Sequence, residues 1–507
     1  MSNNKRIAKN TIFLYIRMFL IMGVTLYTSR IVLRVLGEDD FGLYNVVGGI
    51  VAMFTFLNGA LAGATSRFIT FEIGRKDNIQ LHKVFNVSLA THFIIAIVIV
   101  LLAETIGLWF LYNKMVIPMN RFDAAFWVYQ ISIVSCVLSI IQVPYNATII
   151  AHERMGIYAY VGIVEVILKL LIAYLIQIST YDKLVSYAFL LFIVHVLILS
   201  YYRIYCNRHF SECKLFFVKE TKMYKQMFIF ASSNVIGNLS VLAQGQGLNI
   251  LLNMFFGPVV NAARGIAYQV QGAVTQFSGN FMTAVKPQII KQYALGKVNE
   301  MMELVIQCSC FSYYLMLLIV VPICLEADYI LTLWLGEFPN YTVSFLRLVL
   351  VLCMIQTLKT PRTTVFHATG KILIPNIVVG TILCMALPIA YVVLRMGGEP
   401  NSVFWVAIVC MALSEVASII ILHYKVVCSV KKYIFKVHFR CMLVTIVSLI
   451  IPLFFCNDIP LQGFNKLLMT CVISVISILI TSYTIGLDKK MRIKIRSLIQ
   501  QKIFRNV

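Results

Sequence analysis

Residues 84–108 read VFNVSLATHFIIAIVIVLLAETIGL, and Glu104 is the single Asp, Glu, Lys or Arg among these 25 residues. An α-helix rises about 1.5 Å per residue, so about 20 mostly apolar residues cross the roughly 30 Å hydrocarbon core of a bilayer. Thirteen comparable runs occur between residues 11 and 486. The sequence therefore predicts an all-α, polytopic membrane protein with fourteen transmembrane helices. The predicted spans are residues 11–33, 41–65, 84–108, 124–149, 157–178, 184–206, 227–255, 259–284, 302–325, 343–366, 372–394, 402–424, 438–456 and 465–486.

The composition and the placement of charge support the same class. Hydrophobic residues make up 60% of the chain and charged residues 13%, about half the charged fraction of a soluble domain. Of the 43 Lys and Arg residues, 32 belong to one side: 28 fall in the two termini and in every second loop, and four more lie close to such loops within the adjoining spans, at Arg203, Lys359, Arg362 and Arg440. The intervening loops hold five, and Lys466 lies beside one of them, which makes six. By the positive-inside rule, both termini are expected in the cytoplasm.

The net charge of +22 does not indicate a nucleic-acid partner, because the basic residues lie in short loops between spans rather than in a soluble domain. No loop is long enough for a catalytic domain, and the chain lacks the glycine-rich phosphate-binding motif of nucleotide-driven motors. We therefore expect no catalytic residue, no metal site and no bound cofactor. The energy would then come from a proton or sodium gradient, from removal of the product, or from both.

The chain contains weak signs of an internal repeat with an offset of about 217–222 residues. Gly37 and Gly257 end the first span of each half, and Pro144 and Pro361 end the fourth. Six spans in each half would make the halves parallel, an arrangement known in transporters whose lobes rock about a central cavity. The predicted parts are a six-helix lobe over 1–206, a cytoplasmic linker over 207–225, a second six-helix lobe over 226–424, and two additional helices with a basic tail over 425–507.

Polar residues inside predicted spans need a physical reason, because a charge at bilayer depth costs at least about 2.5–3.5 kcal/mol on insertion scales. Arg17, Arg30 and Arg264 are predicted to line a cationic cavity; the alternative is that their side chains extend to the headgroups. Amides in spans 7 and 8 predict a polar, sugar-compatible surface, with hydrogen bonding between helices as the alternative. These predicted substrate-binding amides are Asn234, Asn238, Asn249, Asn253, Gln269, Gln276 and Asn280.

Three further features of the spans lead to predictions. Glu165 and Lys169 are four residues apart and therefore share a helix face. They form either a self-neutralised pair or an ion-coupling switch. Glu415 has no evident local partner. Residues 244–247, Gln-Gly-Gln-Gly, predict a site where span 7 can unwind.

Four stretches of this sequence are distinctive: Lys9-Asn10-Thr11, TSRIVL at 28–33, LGEDDFGLYNVVGG at 36–49 and GPVVNAARGIA at 257–267. With these stretches the sequence resembles bacterial polysaccharide or O-antigen repeat-unit flippases (Wzx-type), members of the superfamily of multidrug (MATE), oligosaccharidyl-lipid and polysaccharide exporters. The resemblance extends over essentially the whole chain.

The resemblance implies that the protein flips an undecaprenyl-pyrophosphate-linked oligosaccharide across the inner membrane for lipopolysaccharide O-antigen or capsular polysaccharide biosynthesis. Its partners would then be that glycan, membrane lipids and other polysaccharide-assembly membrane proteins. A cation-coupled multidrug antiporter of the same fold is the alternative, although such a protein is expected to use acidic rather than basic residues in its spans. A polymerase or ligase is the enzyme alternative, and it would need a large outer loop that this chain lacks.

Overall fold

The computed structural model describes residues 3–52, 55–113, 117, 119–216, 218–426, 429–458, 463–488 and 492–493, and these form helices without any strand. The helices are α1 Asn3–Ala52, α2 Thr55–Arg75, α3 Asn78–Leu102, α4 Leu108–Asn113, α5 Phe122–Ala151, α6 Met155–Leu175, α7 Lys183–His209, α8 Thr221–Phe256, α9 Pro258–Ala294, α10 Val298–Leu325, α11 Ala327–Leu335, α12 Thr342–Thr369, α13 Leu373–Cys384, α14 Ala386–Arg395, α15 Asn401–Val426, α16 Val430–Tyr433, α17 Arg440–Asp458 and α18 Gly463–Thr481.

Eleven helical segments in the described part of the chain are long and apolar enough to cross a membrane. They coincide with eleven of the fourteen predicted spans. The other three predicted spans, 11–33, 41–65 and 259–284, are also helical wherever the structure describes them, within α1, α2 and α9. The class of protein is therefore confirmed, and the count of fourteen is compatible with these helices but remains a prediction.

Glycines mark several helix boundaries, because they adopt positive φ without steric cost. Gly37 has a φ of 80° and kinks α1 between predicted spans 1 and 2. Gly257, which the sequence comparison pairs with Gly37, has a φ of 78° between α8 and α9. Gly296 and Gly370, both with a φ of 74°, follow the last turns of α9 and α12, the position at which glycine commonly ends a helix.

The chain divides into two compact units, which we call unit 1 and unit 2. Unit 1 comprises Met1–Asn238, Thr283–Lys297 and His367–Leu373. In its core α3, α5 and α7 pack together through side chains such as Phe85, Tyr145 and Tyr202. Unit 2 comprises Leu239–Met282, Val298–Phe366 and Ile374–Val507, and there α18 packs against α10 and α17.

The segment predicted as a linker belongs to unit 1 and packs against its N-terminal helices. His152, just after α5, stacks on Phe210 at 4.2 Å between ring centroids and lies 2.5 Å from Glu212. Burial opposes ionisation of Glu212, but the hydrogen bond with His152, a backbone hydrogen bond and the charges of His152 and His82 together outweigh it and hold the pKa of this carboxyl below its ordinary value. Asn86 of α3 donates to the backbone oxygen of Lys214 at 3.0 Å. These contacts anchor residues 210–214 to the N-terminal helices.

Candidate functional site

The exposed face of α9 in unit 2 is polar and lined by small residues. Its exposed positions recur at spacings of three and four, which places them on one side of the helix. This face, called here the α9 face, consists of Ala262, Gly265, Gln269, Gly272, Gln276 and Gly279. At about 1.5 Å per residue it extends over about 26 Å, most of the thickness of a bilayer core.

Open space lies in front of the α9 face. A Cβ atom added at Gly265, Gly272 or Gly279 would meet no atom within 4 Å among the described residues. The exposed side of α18 is different, since it presents Leu468, Val472 and other large apolar side chains suited to lipid. Glutamines and small residues therefore form most of the surface that α9 leaves open, and such a surface is suited to water or a polar ligand.

Arg264 lies in the first third of α9 and is 8% exposed. It donates to the Asn249 side-chain oxygen at 3.1 Å and to the Gly245 backbone oxygen at 2.7 Å. Its guanidinium also lies over the Tyr268 ring, 4.1 Å from the centroid. These partners are neutral, so the contacts orient the guanidinium without cancelling its positive charge. The structure thus brings together two predicted site residues, Arg264 and Asn249.

The predicted unwinding of span 7 is wrong in this structure. Helix α8 continues without a break through residues 244–247. Gly247 provides a close packing position, because a Cβ atom there would collide with the Leu387 side chain of α14. Gly245 leaves its carbonyl accessible to Arg264. The glycines of this segment therefore serve helix packing and side-chain access rather than a helix break.

Arg17 packs on α6 within unit 1. Its guanidinium lies 4.4 Å from the centroid of the Tyr158 ring, and a Cβ atom at Gly162 would collide with it. Its Nε is buried and has no acceptor among the described residues. Glu165 and Lys169 lie farther along the same face of α6, with 2.6 Å between Nζ and the nearer carboxylate oxygen. The structure therefore places Arg17 of α1 against the face of α6 that carries Glu165 and Lys169.

The remaining predicted residues have varied surroundings. Asn234 is buried in unit 1, and its Nδ2 lies 3.5 Å from the position a Cβ atom would take at Gly63. Asn238 is exposed, and Asn280 is half-buried. Arg30 and Asn253 are predicted site residues whose side chains lie outside the described part of the structure.

The sequence analysis did not predict one buried ion pair, because it counted Arg362 only among the 32 basic residues of the cytoplasmic side. Arg362 is 0% exposed in unit 2 and lies 2.5 Å from Glu415, with Ser418 accepting a further hydrogen bond at 2.9 Å. Glu415 therefore has a partner, 53 residues away along the chain rather than on its own helix. Glu415 was the feature of the sequence that could have indicated this pair, because a carboxylate in an apolar span needs a positively charged partner.

The described helices thus define a multi-pass membrane protein with a polar face exposed on α9. A model of the family described as polysaccharide biosynthesis protein matches residues 7–292, more than half of the sequence. The chain belongs to that family. No curated protein matches the sequence.

Solved structures show the same fold at low identity. A MATE protein in the bent conformation is 15% identical, with 85% of this chain and 97% of that chain covered and a TM-score of 0.74. An outward-facing MATE family transporter of the MOP superfamily is 14% identical, with coverage of 85% and 99% and a TM-score of 0.71. A MOP superfamily transporter from Pyrococcus furiosus, described as having a binding pocket of reverse polarity, is 14% identical, with coverage of 84% and 98% and a TM-score of 0.68. The predicted MATE-like fold is thereby confirmed.

Proposed function

We propose that this protein flips an undecaprenyl-pyrophosphate-linked oligosaccharide from the cytoplasmic to the periplasmic leaflet of the bacterial inner membrane, for O-antigen or capsular polysaccharide biosynthesis. The observation that carries the proposal is the α9 face, with Gln269 and Gln276 beside glycines that leave open space. A glycan carries many hydroxyl groups and needs a wet, hydrogen-bonding path, which an apolar helix face cannot supply. Membership of a polysaccharide biosynthesis family supports a glycan as the cargo.

The charge inside the spans supports an anionic group on the cargo. Arg264 has neutral partners, and Arg17 lies on an aromatic ring. Guanidinium groups bind phosphate oxygens through paired hydrogen bonds, so they suit the pyrophosphate. The lipid tail would remain in the bilayer, and other polysaccharide-assembly membrane proteins would supply and remove the glycan. A multidrug antiporter is the alternative, which is expected to use acidic groups for cationic drugs, and two acidic groups inside the spans, Glu165 and Glu415, are here paired with Lys169 and Arg362.

Replacing both Gln269 and Gln276 with leucine is expected to reduce surface glycan at least about tenfold at unchanged protein level. Each sugar hydroxyl that loses its amide partner costs about 1–3 kcal/mol of binding free energy. A cost of about 1.4 kcal/mol lowers the affinity tenfold. Complementation of a strain lacking the protein, read by glycan blotting, measures the effect. Ile476→Leu on the apolar exposed face of α18 is the matched control. Wild-type glycan export by the double variant would contradict the role of the α9 face.

The same purified variants should be compared in vesicles with a fluorescent lipid-linked oligosaccharide and with ethidium. We expect the wild-type protein to flip the lipid-linked oligosaccharide and the double variant to be defective. Ethidium transport without flipping would instead favour the antiporter. Imposed proton or sodium gradients, applied to the wild type and to Glu165→Gln, test ion coupling at the Glu165–Lys169 pair. Flipping that ignores both gradients and this substitution would leave the pair a structural role.

The charge pattern also makes a prediction about orientation. A reporter enzyme that is active in the cytoplasm, fused after Val507, is expected to be active, because 32 of 43 basic residues lie on the side assigned to the cytoplasm. A reporter fused within residues 179–183, on the opposite side, is the control and should be inactive. Activity of a periplasmic reporter after Val507 would overturn the proposed topology.

A further inference from the structure

Unit 1 contains a group of two cationic side chains and a histidine, at the ends of three helices that the charge pattern assigns to the cytoplasmic side. Arg67 belongs to α2, Lys286 to α9 and His367 to α12. Arg67 donates through Nε to the backbone oxygen of His367 at 3.0 Å. The Lys286 ammonium and the Arg67 guanidinium both act electrostatically on the His367 ring. We call these three residues the Arg67 cluster.

The hydrogen-bond donors of the Arg67 cluster are largely unused. Only Nε of the Arg67 guanidinium donates to a protein group in the described structure, which leaves its two terminal amino groups available. Lys286 has neither a hydrogen bond nor an ion pair among the described residues. The Nδ1 atom of His367 is buried and likewise has no described partner. Apart from Arg67 Nε, the donors of Arg67 and Lys286 therefore have no acceptor among the described protein groups. The His367 ring adds a donor in the tautomer that carries its hydrogen on Nδ1.

Carboxylates do not neutralise the Arg67 cluster as they neutralise other cations of unit 1. Lys83 lies 2.5 Å from Glu220, and Lys291 lies 2.7 Å from Glu153. Glu72 is the carboxylate that acts on Arg67 electrostatically, but the described contacts include no ion pair between them. The cluster thus has a net positive charge in a half-buried setting, where attraction for an anion is stronger than in bulk water.

The surroundings shape the guanidinium of Arg67 for binding. Phe68, Phe71 and Phe230 lie around it, with ring centroids 4.5, 5.1 and 5.4 Å from its central carbon. These rings hold the side chain in place without using its donors. At Gly370, which has a φ of 74°, a Cβ atom would lie 2.8 Å from one terminal nitrogen of Arg67. A side chain at this position would therefore clash with that end of the guanidinium.

We infer that the Arg67 cluster is a binding site for a phosphate ester at the cytoplasmic side of unit 1. A guanidinium supplies paired donors that match two phosphate oxygens, and an ammonium adds a point charge. Two sources carry this chemistry: the diphosphate of the proposed lipid-linked substrate and the headgroup of an anionic phospholipid. The first source rests on the proposed function, whereas the second does not. Binding by the site itself is therefore testable without any glycan.

Inorganic pyrophosphate is the first probe, titrated by calorimetry into the full-length protein in phosphatidylcholine nanodiscs. We expect saturable binding that is weakened at least tenfold by Lys286→Gln and by Arg67→Ala, and less by Arg67→Lys, which keeps the charge but not the paired donors. Lys286→Gln is the decisive variant, since it removes no described protein contact and should not impair folding. Lys83→Gln, at a cation already paired with Glu220, is the matched control and should leave binding unchanged.

The second arm distinguishes the two sources by adding phosphatidylglycerol to the nanodiscs. A headgroup site predicts that this lipid weakens pyrophosphate binding and raises the apparent Tm of the wild type but not of Lys286→Gln. A diphosphate site predicts pyrophosphate binding that is insensitive to this lipid. The proposal is overturned by wild-type protein that responds to neither probe, or by responses that Lys286→Gln and Arg67→Ala leave unchanged. If the wild-type protein responds to pyrophosphate or to phosphatidylglycerol as expected but does not flip the lipid-linked glycan, the proposed function is rejected and the binding site is retained.

Discussion

Arg362→Ala is expected to destabilise the protein by about 3–5 kcal/mol, because the substitution leaves the Glu415 carboxylate buried without its cation. Glu415 has 6% of its side chain exposed, so water cannot replace the lost partner. One carboxylate oxygen of Glu415 already lacks a hydrogen-bond donor among the described residues. The His438 Nε2 atom, 3.8 Å away, is too distant for a hydrogen bond.

The measurement is the apparent Tm of the purified protein in detergent, followed by chemical denaturation of the same samples. The informative control is Arg362→Met combined with Glu415→Leu. Replacing both partners by apolar residues of similar size is often neutral or stabilising, so the double variant should be far more stable than Arg362→Ala. If Arg362→Ala unfolds like the wild type, the pair does not hold α12 and α15 together.

Glu153→Ala is expected to cost about 2–3 kcal/mol, the range for losing hydrogen bonds that involve charged groups. The Glu153 side chain is 1% exposed and accepts from Lys291 at 2.7 Å and from Gln288 at 2.5 Å. These contacts join the turn after α5 to the last turns of α9 inside unit 1. We expect a smaller loss of stability than for Arg362→Ala, because the Lys291 side chain is 17% exposed and can regain some hydration.

Two comparisons separate the ion pair from its surroundings, again through the apparent Tm and denaturation in detergent. Glu220→Gln breaks the Lys83–Glu220 pair, whose side chains are 31% and 42% exposed, and should cost no more than about 1 kcal/mol. Glu153→Gly removes the same carboxylate as Glu153→Ala but relieves the positive φ of 60°, so it should be about 1 kcal/mol less damaging. Equal stability of Glu153→Ala and Glu220→Gln would contradict the importance of burial at Glu153.

The sequence by itself determined the features that depend on local composition. Long apolar runs predicted the helices, because a segment in lipid must satisfy its backbone hydrogen bonds internally. The spacing of Glu165 and Lys169 predicted their contact, because residues four apart meet on a helix. The amides of span 8 were recognisable in the same way, and Gln269 and Gln276 do share a face of α9.

Tertiary structure alone decided which polar groups are satisfied and which remain available. The glycines at 245 and 247 suggested a break in α8, but the helix is intact. Gly247 packs closely against α14, and an intact helix avoids the cost of exposing backbone groups to lipid. Arg362 and Glu415 meet although 53 residues separate them, and no periodicity in either helix encodes that pairing. Hydropathy is a sum over neighbours in sequence, whereas the compensation of a buried charge depends on which helices pack together.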